Sequence, residues 1–331
     1  MPRRPLNPQT LADGIRAGQR AALSQAITLA ESTRPEHRTL TAQLLALLPA
    51  GPTPTFRLGV TGSPGVGKST FIEAYGQRLL AEGHRLAVLA VDPSSSRTGG
   101  SILGDKTRMA TLALDERAYV RPSPAGQTLG GVASATRQAI TLCEAAGYDR
   151  VLVETVGVGQ SEHAVAELTD AMALLVLPGA GDDLQGIKRG IVELADLVLV
   201  HKADGERARA ARQTVSDYNR ALHLQPARRD GWSPRAVAGS SVAEGGLAGF
   251  GESLTAYVEA LGTAGLRERR RAQQLRWFGR YWPGRVEALL RSHPATAGTL
   301  AHLRDRIAAG DLDVDAAAAR LLAQLSKRLD P

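Results

Sequence analysis

GSPGVGKS, at residues 62–69, matches the pattern G-x-x-x-x-G-K-[ST] without deviation. A short apolar run at 56–60 precedes it, and a helical pattern at 70–80 follows it. Glycines allow backbone N–H groups to curl around a diphosphate, and the helix that follows directs its positive end at the same charge. The stretch therefore predicts a loop between a strand and a helix that binds the phosphates of a nucleoside triphosphate.

The side chains of this loop have separate predicted roles. Lys68 is expected to reach the β- and γ-phosphate oxygens, and the Ser69 hydroxyl is expected to ligate Mg²⁺. The predicted nucleotide contacts in this part of the chain are Gly62, Ser63, Pro64, Gly65, Val66, Gly67, Lys68, Ser69 and Thr70.

Apolar runs alternate with longer amphipathic stretches between residue 55 and about residue 260. Near-continuous apolar runs are typical of a parallel sheet that is covered on both faces. The alternation predicts a doubly wound, mostly parallel α/β domain with nucleotide at the carboxyl ends of the strands. The predicted strands are 57–60, 86–91, 118–121, 150–154, 171–177, 197–201 and 235–238.

Both ends of the chain have a helical pattern instead. Residues 1–50 are predicted to form two helices, before the linker signal Gly-Pro-Thr-Pro at 51–54. An arginine- and alanine-rich helical composition begins at about 265. The predicted domains are an N-terminal helical extension at 1–50, a P-loop domain at 51–262 and a C-terminal helical arm at 263–331.

Composition limits the classes of function. The 331 residues are 43% hydrophobic, with a formal charge of +7 and a single cysteine, Cys143, in an apolar helical pattern. We expect a buried, inert thiol there. No run approaches ~18 apolar residues, so no membrane partner and a cytoplasmic location are expected. The excess charge comes largely from arginines near the chain ends, and we expect no nucleic-acid partner.

Acidic residues after two further strands predict the rest of a phosphate and metal site. Asp92 ends the run LAVLAVD, where a carboxylate can hold Mg²⁺ directly or through water. ETVGVGQ at 154–160 stands where many GTPases carry D-x-x-G, with Glu154 for the aspartate and Gly157 for the glycine. Val158 occupies the place of the glutamine that orients water, which predicts slow intrinsic hydrolysis.

The segment His201-Lys202-Ala203-Asp204 follows a strand and is similar to the N-K-x-D guanine motif. Asp204 can accept hydrogen bonds from both N1–H and N2–H₂ of guanine, a pair that adenine lacks. Lys202 can lie along the base, and His201 departs from the usual asparagine. Ser240 and Ser241, after the last predicted strand, fit the final base-contacting loop.

On these residues, the chain closely resembles the MeaB/ArgK/MMAA family, GTPases of the SIMIBI class that are associated with methylmalonyl-CoA mutase. The matching text is GVTGSPGVGKST, AVLAVDPSSSRTGGSILGDKTRM, ETVGVGQSE and PGAGDDLQGIKRGIVELAD. The resemblance covers nearly the whole chain, more loosely at both ends.

The resemblance implies a Mg²⁺-dependent GTPase that cycles between GTP and GDP and has a C-terminal dimerisation arm. It implies a chaperone for an adenosylcobalamin-dependent acyl-CoA mutase, which gates cofactor loading and protects or reactivates the enzyme. The implied magnesium site consists of Ser69, Asp92, Asp105 and Glu154. Gln185 and Lys188 fall in a third switch at the mutase interface and join Lys68 and Glu154 as implied catalytic residues.

Other interpretations stay open at this point. One is a GTPase that inserts nickel during enzyme maturation, although the seven histidines are scattered. Another is a protein kinase of an amino-acid transport system. The client could be methylmalonyl-CoA mutase or a related acyl-CoA mutase. The arginine-rich stretch 267–280 is interpreted either as a docking surface or as a solvated helix face.

Overall fold

Seven parallel strands form the centre of the molecule. The computed structural model describes residues 6–48, 55–91, 109–122, 129–155, 161–179, 189–224 and 231–329. The strand order is β3-β2-β4-β1-β5-β6-β7, and every neighbouring pair is parallel. The strands are β1 (Phe56–Gly62), β2 (Leu86–Val91), β3 (Ala118–Arg121), β4 (Arg150–Thr155), β5 (Ala171–Val176), β6 (Leu197–Val200) and β7 (Arg235–Ala238).

All seven predicted strands are confirmed, with bounds that differ by at most a residue or two. The doubly wound parallel α/β class is therefore also confirmed. The described helices of the first part of the chain are α1 (Pro8–Arg16), α2 (Arg20–Ala30), α3 (Pro35–Leu47), α4 (Lys68–Ala81), α5 (Ala110–Leu114) and α6 (Leu129–Ala145). The later ones are α7 (Ser161–Ala166), α8 (Arg189–Leu194), α9 (Ala208–His223), α10 (Ala248–Ser292), α11 (Pro294–Ala308) and α12 (Val314–Leu329).

The prediction of two helices in residues 1–50 is wrong, because the structure has three there. α1 ends before Gly18, which adopts φ 70° and lets the chain turn into α2. A residue with a side chain is disfavoured in this left-handed region, whereas glycine enters it readily. The apolar spacing of Leu11, Ile15, Ala22 and Ile27 runs across this turn, so periodicity alone does not separate the two helices.

Each face of the sheet buries its own apolar layer, because successive strand residues point to opposite sides. On one face, α1, α2, α3 and α6 cover side chains such as Leu89 and Val153. On the other, α4 and the first part of α10 cover side chains such as Val60 and Val88. Cys143 of α6 is fully buried, as predicted, and burial raises the pKa of its thiol.

The chain divides into two compact units, Met1–Arg270 and Arg271–Pro331. The first contains the sheet and the N-terminal helices, and the second contains α11 and α12. The division falls within α10, which is interrupted at Gly262, where φ is 59°. The domain limits at 50 and 262 stay predictions. None of the helices given above combines the length with the apolar composition that a membrane-spanning segment requires.

Candidate functional site

The predicted phosphate loop lies between the carboxyl end of β1 and the first residue of α4, Lys68. The Lys68 ammonium donates to the carbonyl oxygen of Gly62 at 2.8 Å and to that of Ser63 at 3.4 Å. Burial lowers the pKa of Lys68, and the charges of Glu154 and Glu162 act in the opposite direction. The Lys68 side chain thus folds back onto the first residues of the phosphate loop, and the negative charges of Glu154 and Glu162 balance its positive charge.

Gly67, the residue before α4, can be only glycine in this conformation. Its φ of 100° lies in the region that disfavours side chains. A Cβ atom placed there would lie 2.8 Å from two ring atoms of His201. The glycine therefore lets the phosphate loop approach the segment that follows β6.

Ser69 and Glu154 bring a hydroxyl and a carboxylate together beside this loop. The Ser69 hydroxyl donates to Oε1 of Glu154 at 3.3 Å, and the Glu154 side chain, near the end of β4, is buried. Oxygen ligands of this kind suit Mg²⁺, so the donor set fits that ion. Asp92 and Asp105, the other predicted ligands, lie outside the described residues. Among those described, no three His, Cys, Asp or Glu side chains cluster to hold a metal.

His201 connects the phosphate loop to the last loop of the site. Its Nδ1 lies 2.8 Å from the carbonyl oxygen of Val66, and its Nε2 lies 2.7 Å from the Ser241 hydroxyl. A carbonyl can only accept, so Nδ1 carries the proton, and the Ser241 hydroxyl donates to Nε2. The neutral ring satisfies both partners. Burial is the main reason why the pKa of His201 is lowered.

Lys202 and Asp204 complete the predicted base pocket. Lys202 has φ 57°, unusual for a residue with a side chain, and its ammonium donates to the carbonyl oxygen of Gly65 at 2.9 Å. The Ser240 hydroxyl donates to Oδ1 of Asp204 at 2.6 Å. That bond leaves Oδ2 and the remaining lone pairs of the carboxylate for hydrogen bonds from a base.

The lowered pKa of His201 predicts a pH dependence of stability. At pH values above about 6.5, the imidazole is neutral in both folded and unfolded chains. On acidification the unfolded chain takes up this proton first, so His201 lowers the free energy of unfolding as pH falls. Urea unfolding at pH 8, 7 and 6 should show a steeper loss for the wild type than for His201→Asn. Equal pH slopes for the two proteins would contradict the neutral-imidazole assignment.

The structure thus brings together most of the predicted nucleotide-contacting residues at one edge of the sheet. Four strands end there: β1 leads into the phosphate loop, β4 carries Glu154 one residue before its end, β6 ends just before His201, and β7 ends two residues before Ser240. Gly157, Gln185 and Lys188 lie outside the described residues, so their predicted roles stay predictions. Glu162, fully buried in the first turn of α7, was not predicted to act on Lys68. The only sequence signal for it was its place in ETVGVGQSE.

A family model described as "Methylmalonyl Co-A mutase-associated GTPase MeaB" matches residues 23–294 of the chain. A probable GTPase of Mycobacterium tuberculosis is 50% identical over 313 residues, which cover 94% of this chain and 93% of that protein. GTPase ArgK of Escherichia coli is 47% identical, and the alignment covers 82% of this chain and 84% of that protein. These matches take in the phosphate loop and the segment at 201–204.

Two further relatives extend the comparison. A mouse protein named "Methylmalonic aciduria type A homolog, mitochondrial" is 43% identical over 95% of this chain and 79% of its own length. A solved structure described as "LAO/AO transport system kinase" superposes with a TM-score of 0.73 at 33% identity. That superposition covers 98% of this chain and all of the other, which agrees with the parallel-sheet fold described above.

Proposed function

The chain is a GTPase of the methylmalonyl Co-A mutase-associated MeaB family, and we propose that it acts as a chaperone for an adenosylcobalamin-dependent acyl-CoA mutase. In this proposal, the bound nucleotide governs when the mutase receives its cofactor and when it is protected or reactivated. The observation that supports a nucleotide switch most directly is the His201 bridge. It joins the phosphate loop to the base-contacting loop through two hydrogen bonds.

In the proposed complex, residues 62–70 hold the phosphates of GTP or GDP. Lys68 exchanges its bonds to Gly62 and Ser63 for phosphate oxygens, which is favourable because charged acceptors make stronger hydrogen bonds than carbonyls do. Gly157 contacts the γ-phosphate. Lys202 lies along guanine, and Asp204, supported by Ser240 and Ser241, reads its N1–H and N2–H₂ groups.

Ser69 and Glu154 are the described residues that would hold Mg²⁺, together with Asp92 and Asp105. When bound, the ion would neutralise charge on the β- and γ-phosphates. Glu154 also accepts the Ser69 hydroxyl, which sets the direction of that hydroxyl's lone pairs. This arrangement uses only oxygen ligands, in keeping with the preference of Mg²⁺.

We propose that hydrolysis is slow without the partner, because Val158 cannot orient water as a glutamine does. Gln185 and Lys188 supply the missing groups when the mutase binds. A turnover of several molecules per second by the purified chain alone would contradict this part of the proposal.

Replacing Lys188 with alanine is expected to abolish the stimulation of GTP hydrolysis by the mutase. The ammonium would stabilise charge that develops in the transition state, and losing one such donor typically costs ~100-fold or more in rate. Single-turnover hydrolysis should be measured with and without mutase, alongside equilibrium binding of a fluorescent GDP analogue. Binding should be unchanged. Stimulation equal to that of the wild type would refute the assigned role.

The C-terminal unit supports the proposal of a homodimer. Its helices expose large apolar side chains, among them Leu275, Phe278 and Leu289, which are each more than 60% accessible. Leu275 and Phe278 are three residues apart in α10 and so lie on one face of the helix, and exposed apolar patches on globular proteins mark interaction sites. We propose that a second copy of this unit covers it.

Sedimentation tests the homodimer. The wild type is expected to sediment as a dimer, and Phe278→Glu as a monomer, because a charge in an apolar interface is costly to desolvate. The matched control is Leu224→Glu, which introduces the same charge at a more exposed apolar residue, directly after α9 in the other unit. A monomeric wild type, or a dimeric Phe278→Glu, would contradict the proposed interface.

A further inference from the structure

Two aspartates begin neighbouring strands at the edge of the sheet opposite the nucleotide site. Asp170 directly precedes β5, Asp196 directly precedes β6, and both residues are fully buried. Oδ2 of Asp170 accepts the backbone N–H of Arg57 in β1 at 2.8 Å. Oδ2 of Asp196 accepts the N–H of Met172 in β5 at 2.7 Å. The two carboxylates thus join the amino ends of three adjacent strands, β1, β5 and β6.

Consecutive arginines of α10 bind these carboxylates. Arg270 donates from Nε to Oδ1 of Asp170 at 2.6 Å and from Nη2 to Oδ2. Arg269 donates from Nη1 and Nη2 to the two oxygens of Asp196 at 3.2 and 2.9 Å. Both pairs are two-pronged, the geometry in which a guanidinium fixes a carboxylate in direction as well as in distance.

Each aspartate also lies just after a short helix, and each of these helices follows a segment with residues predicted to act at the nucleotide or in the third switch. α7 begins directly after residues 156–160, which contain Gly157, and the chain leaves it at Ala166 for Asp170. α8 begins directly after Lys188, and the chain leaves it at Leu194 for Asp196. A displacement of either helix along its axis therefore reaches one of the two carboxylates through a few residues of backbone.

The arginines also stand at a boundary. Arg270 is the last residue of the first compact unit, and the chain enters the C-terminal unit at Arg271. A buried carboxylate that loses its paired cation is strongly destabilised. Because both pairs are buried on the aspartate side, a carboxylate that moves should carry its arginine with it.

We propose that Arg269 and Arg270 are positioning residues that transmit the nucleotide state from the exits of α7 and α8 to the C-terminal unit. This inference rests on the proposed function, since it assigns a route of regulation to the same GTPase site. Coupling between two sites is reciprocal. Whatever binds the C-terminal unit should therefore also change the relative affinities of the chain for GTP and GDP.

Hydrogen–deuterium exchange on the full-length chain tests the route. The chain is compared with GDP and with a non-hydrolysable GTP analogue, and exchange is followed in the peptide that covers residues 263–270. In the wild type, the two nucleotides should change exchange there by ~5-fold or more, the lower end of ordinary allosteric coupling. The double variant Arg269→Gln/Asp196→Asn removes both charges of one pair and keeps side-chain volume, so it should fold, bind GDP and show at most about half of this difference, because only the Arg270–Asp170 pair remains.

Two further variants complete the design. Arg271→Gln removes the next arginine, whose side chain is exposed, and should keep the wild-type difference. Arg269→Lys keeps the positive charge but cannot donate two parallel hydrogen bonds to Asp196, so it should reduce the difference in exchange between the two nucleotides. Nucleotide binding without any difference at 263–270, or a difference in the double variant as large as in the wild type, would overturn this inference alone. Failure of the wild type to bind either nucleotide would overturn it together with the proposed function.

Discussion

Replacing Lys68 with methionine is expected to weaken GTP and GDP binding by at least ~100-fold, the scale on which single charged donors act at phosphoryl sites. Hydrolysis should fall to background. The structure gives the reason, because the Lys68 ammonium is buried at the mouth of the loop and already bonds to two of its carbonyls. Isothermal titration with GDP and with a non-hydrolysable GTP analogue measures the loss.

A suitable control for this variant lies on the same helix. Arg78→Met removes another cation of α4, one that pairs with Glu82 at the surface, and should leave nucleotide affinity unchanged. Thermal unfolding without nucleotide shows whether Lys68→Met remains folded, since Glu154 and Glu162 lose a compensating charge. A folded Lys68→Met protein that binds GDP as the wild type does would refute the assignment of residues 62–69 as the phosphate loop.

Replacing Asp204 with asparagine is expected to lower GTP affinity by at least ~100-fold, because two hydrogen bonds from guanine lose their charged acceptor. The exchange is nearly isosteric, and the asparagine carbonyl can still accept the Ser240 hydroxyl. Competition of unlabelled nucleotides against a fluorescent GDP analogue gives the affinities.

The same variant should gain affinity for xanthosine triphosphate. Xanthine keeps N1–H but has a carbonyl oxygen at C2. The asparagine carbonyl can accept from N1–H, and the asparagine NH₂ group can donate to the C2 carbonyl. The matched control is Asp217→Asn, which makes the same exchange in α9, where the carboxylate pairs with Arg220, and it should leave both affinities unchanged. If Asp204→Asn kept its preference for GTP, another residue would have to read the base.

Much of the architecture follows from local patterns. β2, β5 and β6 are uniform apolar runs, because strands covered on both faces have no polar side. The phosphate loop can also be predicted, since its glycines and Lys68 lie within one short stretch of the sequence. The turn at Gly18 cannot be predicted from the sequence, because a glycine flanked by helical residues can lie within a helix or end it.

Contacts between distant segments were less accessible to prediction. The sequence of the arginine-rich stretch 267–280 is consistent with a docking surface or a solvated helix face. In the structure, Arg269 and Arg270 instead form ion pairs with buried aspartates that precede strands of the sheet. Asp170 and Asp196 each directly precede a strand, and nothing in the neighbouring sequence indicates a partner 100 or 73 residues away. In the sequence, His201 is a departure from the guanine motif N-K-x-D. In the structure, its ring forms hydrogen bonds to the Val66 carbonyl and the Ser241 hydroxyl and so joins the phosphate loop to the last loop of the site.

The most direct test of the account is the affinity of the purified chain for methylmalonyl-CoA mutase in two nucleotide states. Binding should be measured by interferometry with GDP and with a non-hydrolysable GTP analogue, in the presence of Mg²⁺. We expect binding in at least one state and affinities that differ by ~5-fold or more, as two coupled sites require. Equal affinities in the two states, or no binding in either, would contradict a nucleotide switch that acts on this enzyme.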